Sequence, residues 1–317
     1  MTTAPTGDDD ALDALARRRT STVSVCIPAR DEEATVGPIV GAVRSALVDA
    51  VGLVDEIVVA DDGSTDATAR EAAAAGARVV TVGPVDERGG PSDDRDPSDE
   101  GGGTGGPDDP SDGHAVRHGK GEAMWHALRA STGDLVVWLD ADLEGFDPAW
   151  VGRLLAPLIN DAGVTFVKGH YHRDAGVDGT GGGRVTELVA RPAISTYHPV
   201  LGGIRQPLGG EYAGRRSTFE RVPFAGGYGV DLGLLIDIAR LDGIEAIAQV
   251  DLGVRTHRNR PVAHLGVQAA EVLHVALRRA GVAPADPPTL LRPDLGPAPI
   301  ETRDRPPLVT SGVRPQM

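Results

Sequence analysis

The chain has 317 residues, a net charge of −15, 40% hydrophobic residues and only 3% aromatics. That length supports one large α/β domain or two modest ones, with Val, Leu, Ile and Ala filling the core. The charge balance excludes a basic nucleic-acid-binding face, the single cysteine excludes an intrachain disulfide, and no apolar run approaches the ~18 residues of a membrane span.

Residues 1–20 read as a polar, disordered leader, acidic and unlike a signal peptide, which points to a soluble, cytoplasmic protein. Thr22–Ile27 is a β-branched apolar run in which Cys26 reads as a small core residue. Pro28-Ala29-Arg30-Asp31-Glu32-Glu33 follows, then a helical pattern to about Asp49. Glu56–Ala60 is a second buried strand, closed by Asp61-Asp62-Gly63-Ser64-Thr65-Asp66, a turn joined to a helix start. An alanine-rich helix runs to about Ala75, and Ala77–Val82 makes a third strand. Residues 86–112 carry ten acidic and two basic side chains among Gly, Pro and Ser, so 84–113 reads as a disordered acidic insertion. Helix resumes after His118, and Leu135–Leu139 is a fourth strand ending in Asp140-Ala141-Asp142.

The second half is less regular. Val164–Val167 reads as a strand leading into Lys168–Arg173, and Gly179–Gly183 opens a helix near Arg184. Tyr228–Ala239 is helical, Glu245–Val250 is a strand delivering Arg255-Thr256-His257-Arg258-Asn259-Arg260, and Val262–Arg279 is an amphipathic helix. Frequent prolines make residues 283–317 an extended tail.

Strand and helix alternate four times in the first half, which argues for a parallel sheet covered on both faces, with ligands at the carboxyl ends of its strands. Three polar clusters, at 28–33, 61–66 and 140–142, fall at such ends. Two carboxylates two residues apart can hold a divalent cation that neutralises a nucleoside diphosphate; acidic pairs at strand ends also serve as turn chemistry. His257, in its cationic loop, is either a further metal ligand or a structural histidine. A carboxylate and imidazole set suits Mg2+ or Mn2+. Lys120, between two glycines at a helix start, could meet phosphate or solvent; its spacing is not that of a P-loop. Gly181–Thr186 is either an anion cradle or a flexible linker. Asp231 and Glu211 are candidate site carboxylates or helix-dipole partners.

Together these segments resemble the retaining GT-A glycosyltransferases, and among them the glucosyl-3-phosphoglycerate synthases. The resemblance runs from about Val23 to Pro261 apart from the acidic insertion, and its finer part rests on Gly183-Arg184-Val185-Thr186-Glu187 and His257-Arg258-Asn259-Arg260-Pro261. It implies a Rossmann-like, mostly parallel α/β sheet: 21–160 the nucleotide-sugar half, 161–282 the acceptor half of the same domain. For the donor, UDP-glucose, it implies Pro28, Ala29, Arg30, Asp31, Glu32, Asp62, Lys120, Asp140, Ala141, Tyr228, Gly229, Asp231 and Arg255. Asp142 and His257 would bind the metal. Gly183, Arg184, Val185, Thr186 and Asn259 would receive 3-phosphoglycerate. Asp140 and Asp231 would act at the reacting sugar, although Asp231 stands where a longer glutamate is expected. A homodimer is also implied. Another donor (GDP-glucose or GDP-mannose), another acceptor (glycerate or polyprenyl phosphate) and a non-catalytic nucleotide-sugar sensor are the competing readings.

Overall fold

The computed structural model describes residues 6–83, 119–173, 183–255, 262–283, 285 and 288–309. The acidic insertion, His257 and Asn259 lie outside these residues.

The first four strands form where the sequence is apolar without interruption: β1 (Val23–Ala29), β2 (Glu56–Asp61), β3 (Arg78–Thr81) and β4 (Leu135–Trp138). In β1, Val23, Val25, Ile27 and Ala29 enter one core and Cys26 the other, the two-residue alternation of a strand covered on both sides. Helices α2 (Val36–Val43), α3 (Thr68–Ala74) and α4 (Lys120–Ala130) connect these strands. After β4 come α5 (Ala149–Asn160), β5 (Phe166–Arg173), α6 (Arg191–Tyr197), β6 (Tyr212–Arg215), the four-residue α7 (Arg216–Phe219), α8 (Val230–Asp242), β7 (Ile247–Arg255) and α9 (Val262–Arg279). The sheet order is β3-β2-β1-β4-β6-β5-β7. Only β6 runs against its neighbours, β4 and β5, and every other pair is parallel. Among the described residues no helix is long and apolar enough to cross a membrane.

The expectation for the N-terminal segment needs correction. Residues 6–18 of the expected leader form a helix, α1 (Thr6–Arg18), with Leu12 and Leu15 buried. Leu12 packs so closely on α5 that a Cβ on Gly152 would lie 2.3 Å from its Cδ2. Arg19 then anchors the segment, donating to Asp55 Oδ1 at 2.9 Å. The acidic run before Leu12 conceals this short apolar stripe, which acquires meaning only once α5 offers a groove.

The proline-rich tail also packs. Thr289–Leu290 (β8) pairs with Ala298–Pro299 (β9), and Arg305 exchanges backbone hydrogen bonds with Phe224 at 2.8 and 3.0 Å. The Arg305 guanidinium grips the buried Glu122 of α4, with Nε at 2.8 and 2.9 Å from its two oxygens, and covers the Trp125 ring. Proline removes helix as an option but leaves extended contacts of this kind intact.

Burial alone would raise the Glu122 carboxyl, but hydrogen bonds from His126 and Arg305 outweigh it and hold the group below its ordinary range. This stabilisation is therefore present above the ordinary carboxylate range and lost as pH falls below it. Arg305→Ala, which leaves Glu122 buried with one fewer cation, is expected to cost about 3 kcal/mol and to weaken the acid dependence of stability. Urea unfolding at pH 7 and pH 4 measures both; an unchanged midpoint at pH 7 would show that the strap carries no weight.

Candidate active site

The carboxyl ends of β1, β2 and β4, the start of α4 and the start of α8 border one open cleft of about 400 Å³. Pro28, Ala29, Arg30, Glu32, Asp62, Lys120, Asp140, Ala141, Asp142, Gly183, Arg184, Val185, Thr186, Tyr228 and Asp231 all line it. Segments separated by up to about 200 residues in sequence are thus brought together. This placement follows from a parallel sheet, where successive strands deliver their following loops to one edge.

The first two loops are stitched to each other. Asp31, the one non-glycine residue with positive φ among those described (54°), receives hydrogen bonds on Oδ1 from Thr65 N (2.8 Å) and Oγ1 (3.1 Å). Its own N–H donates to Ser64 Oγ at 3.0 Å. Asp31 therefore braces the loops after β1 and β2 and does not line the cleft. Strain of this sort at a ligand loop indicates backbone held in place by its surroundings. Asp62 accepts from Gly119 N at 2.7 Å and lies 3.5 Å from Arg30 Nη1.

At the centre, Lys120 Nζ is 2.8 Å from Asp140 Oδ1 and 2.9 Å from Asp231 Oδ2. Burial would lower the lysine, yet the two carboxylates raise it above its ordinary range; it stays cationic. The glycines around Lys120 allow close packing. A Cβ on Gly121 would sit 1.9 Å from Ala225 O, and Gly119 (φ 118°) abuts Gly227. They let α4 start directly against the loop that leads into α8. On the other oxygen of Asp231, the Tyr212 hydroxyl donates at 3.0 Å. Although Asp231 has a shorter side chain than the glutamate expected there, its carboxylate lines the cleft.

On the far side of the cleft the chain turns at Gly183 (φ 98°), whose carbonyl receives Glu187 N at 2.8 Å. A π-helical turn over Thr186–Ala190 then leads into α6; such turns recur at functional sites. Tyr228 N donates to the buried Glu271 at 2.8 Å. Glu271 also accepts from Glu301 N at 3.2 Å, so one carboxylate joins the tail to the cleft loop. Gly229 lies behind the cleft surface against Val275, and β7 brings the Arg255 backbone to its last position.

Tyr212 and Lys168, both fully buried, are not among the expected site residues. A lone lysine directly after the apolar run Val164–Val167 was the available signal; nothing local marks Tyr212 as a site residue.

The pattern of glycosyl transferase family 2 matches residues 24–84 and 114–227. Glucosyl-3-phosphoglycerate synthase of Mycolicibacterium paratuberculosis is 47% identical over 268 residues, covering 82% of this chain and 73% of that protein. The Mycobacterium tuberculosis protein of the same name is 44% identical, covering 82% of this chain and 74% of its own. A crystal structure of the M. tuberculosis enzyme with Mn2+, UDP-glucose and phosphoglyceric acid superposes with a TM-score of 0.76 at 38% identity, covering 98% of this chain and 97% of that one. Another holds Mn2+, UDP and glucosyl-3-phosphoglycerate, with a TM-score of 0.76 at 38% identity over 98% of each chain. The likeness thus extends across the whole cleft-bearing sheet and both of its halves, and the chain belongs to the glucosyl-3-phosphoglycerate synthases of glycosyl transferase family 2.

Proposed function

We propose that this cleft transfers glucose from UDP-glucose to 3-phosphoglycerate with retention at C1, releasing UDP. The observation that carries the reading is the meeting, in one cleft, of the acidic donor loops with the glycine-arginine-threonine segment at 183–186. A nucleotide-sugar sensor would need only the first of these.

In this reading Pro28, Ala29, Arg30, Glu32 and Asp62 receive the nucleoside, and Tyr228 and Asp231 bound the glucose. The C1–O bond to the diphosphate breaks as a C1–O bond to the acceptor hydroxyl forms, and the hydroxyl proton leaves with the departing diphosphate or solvent. Asp231 and Asp140 face the positive charge that develops on the sugar, and Lys120 keeps both in place. The carboxylate donors at 140–142 suit a hard divalent cation, with Asp142 and His257 as its protein ligands. When bound, Mg2+ or Mn2+ supplies neutralisation of the leaving diphosphate. Backbone N–H groups, the Arg184 guanidinium and the Thr186 hydroxyl, with Asn259, receive the acceptor's phosphate and carboxylate. Two anionic substrates of this kind belong in the cytoplasm, and the protein acts as a homodimer, which light scattering after size exclusion checks.

The test is UDP release from UDP-glucose with Mn2+ or Mg2+, comparing 3-phosphoglycerate, glycerate and no acceptor. Equal release in all three arms would sink the acceptor assignment, and faster release from GDP-glucose would sink the donor. Arg184→Ala is expected to raise KM for 3-phosphoglycerate by about tenfold to a hundredfold, the loss of charge-assisted hydrogen bonds worth ~1.5–3 kcal/mol. UDP affinity should stay unchanged. An unaltered acceptor KM would place the anion site elsewhere.

A further inference from the structure

Lys168 lies on β5 beneath the cleft, with none of its surface exposed. Lysines are almost never buried to that degree without partners. Its Nζ donates to Gly209 O at 2.5 Å and sits 4.2 Å from the centroid of the Tyr212 ring, its cross-strand partner on β6. Burial lowers the lysine to about 8 against the opposing pull of Asp231, so most of it is charged at neutral pH.

Each of these two contacts leads to one carboxylate of the cleft. Tyr212 is buried, and its phenol is held protonated by burial and by Asp231. It therefore donates to Asp231 Oδ1 at 3.0 Å. A cation against the ring face withdraws electron density and makes the O–H a stronger donor. Gly209, held by Lys168, precedes Gly210, where a Cβ would lie 2.1 Å from Asp140 Oδ1. Any drift of that turn reaches Asp140 directly. Lys120 then bridges Asp140 and Asp231 from the cleft side.

We propose that Lys168 is a positioning residue for the transfer step, holding Asp231 through the Tyr212 hydroxyl and Asp140 through the Gly209–Gly210 turn. The inference rests on the donor roles given to Asp140 and Asp231 above. Lys168 itself reaches no substrate; its effect is on where two carboxylates stand, and small misplacements of such groups cost large factors in rate.

The experiment compares the full chain with Lys168→Met, Tyr212→Phe and the double variant. It measures kcat, KM for both substrates, UDP affinity by calorimetry, and Tm. Lys168→Met keeps the side-chain length and removes the ammonium; Tyr212→Phe removes one hydroxyl. Each is expected to lower kcat by about tenfold to a hundredfold, with both KM values and UDP affinity within about threefold. The double variant should lose less than the product of the single losses, because part of the effect of Lys168 runs through that hydroxyl. A lowered Tm with the wild-type kcat, measured below melting, would make Lys168 a folding residue only and overturn the inference. Should Lys168→Met fail to fold, a wild-type kcat in Tyr212→Phe overturns it equally. If the unaltered chain shows no UDP release dependent on 3-phosphoglycerate, the functional reading falls and this inference with it. Normal wild-type turnover beside unaffected variants overturns this inference alone.

Discussion

Asp231→Asn is expected to lower kcat about a thousandfold and to leave UDP affinity within about twofold, the size of effect that follows when a preorganised charge facing the transition state is removed. The prediction follows from how the carboxylate is held. Asp231 is buried, takes the Tyr212 hydroxyl on one oxygen and Lys120 on the other, and still lines the cleft. Asparagine fills the same space, but it must aim an amide N–H at either a lysine or a phenol that is itself a donor. It also presents no charge to a sugar carbon turning cationic. In the proposed reading uridine is received at the ends of β1 and β2, away from this change, so binding of the nucleotide should be spared. Steady-state UDP release and calorimetry with UDP separate the two quantities. A kcat within about threefold of wild type would remove Asp231 from the reacting centre.

The second large effect is at the metal. Asp142→Ala is expected to lower metal-stimulated turnover by about a hundredfold to a thousandfold, since charge neutralisation by a divalent ion contributes several kcal/mol to a departing diphosphate. Asp142 lines the cleft two residues beyond Asp140, whose side chain is taken up by Lys120. In the proposed reading Asp142 is the carboxylate of the pair that binds the ion. Binding of Mn2+ in the presence of UDP, followed by loss of the free-ion signal in electron paramagnetic resonance, should weaken in parallel without any change in thermal stability. Unchanged Mn2+ binding together with full activation would exclude Asp142 as a ligand.

The strands that carry the site were legible because they are buried on both faces. Thr22–Ile27, Glu56–Ala60 and Leu135–Leu139 read as apolar runs for the same reason that β1, β2 and β4 sit mid-sheet, and polar residues directly after them must fall on one edge of a parallel sheet. From that follows the gathering of residues 28–30, 32, 62 and 140–142. The segment at 183–186 was legible as a helix start rich in donors, although its membership of the same cleft was a matter of resemblance.

Other features depend on contacts between distant segments. Strand β6 has four residues, Tyr-Ala-Gly-Arg, too short and too small to register alone; it is a strand because β4 and β5 leave an antiparallel slot between them. The helix at residues 6–18 and the strap around Arg305 likewise depend on α5 and α4 for the surfaces they cover. Asp31 read as a donor ligand, and only the fold turns it onto the neighbouring loop. Hydrophobic pattern and chain order act locally, and they mark the parallel strands of the first half, the edge where their loops gather and most of the residues along it. How the carboxylates are held is settled by contacts between distant segments. The partners of Asp231 (Lys120 and Tyr212) lie 111 and 19 residues away, and a distance of 3 Å between such residues is a property of packing that no local pattern encodes.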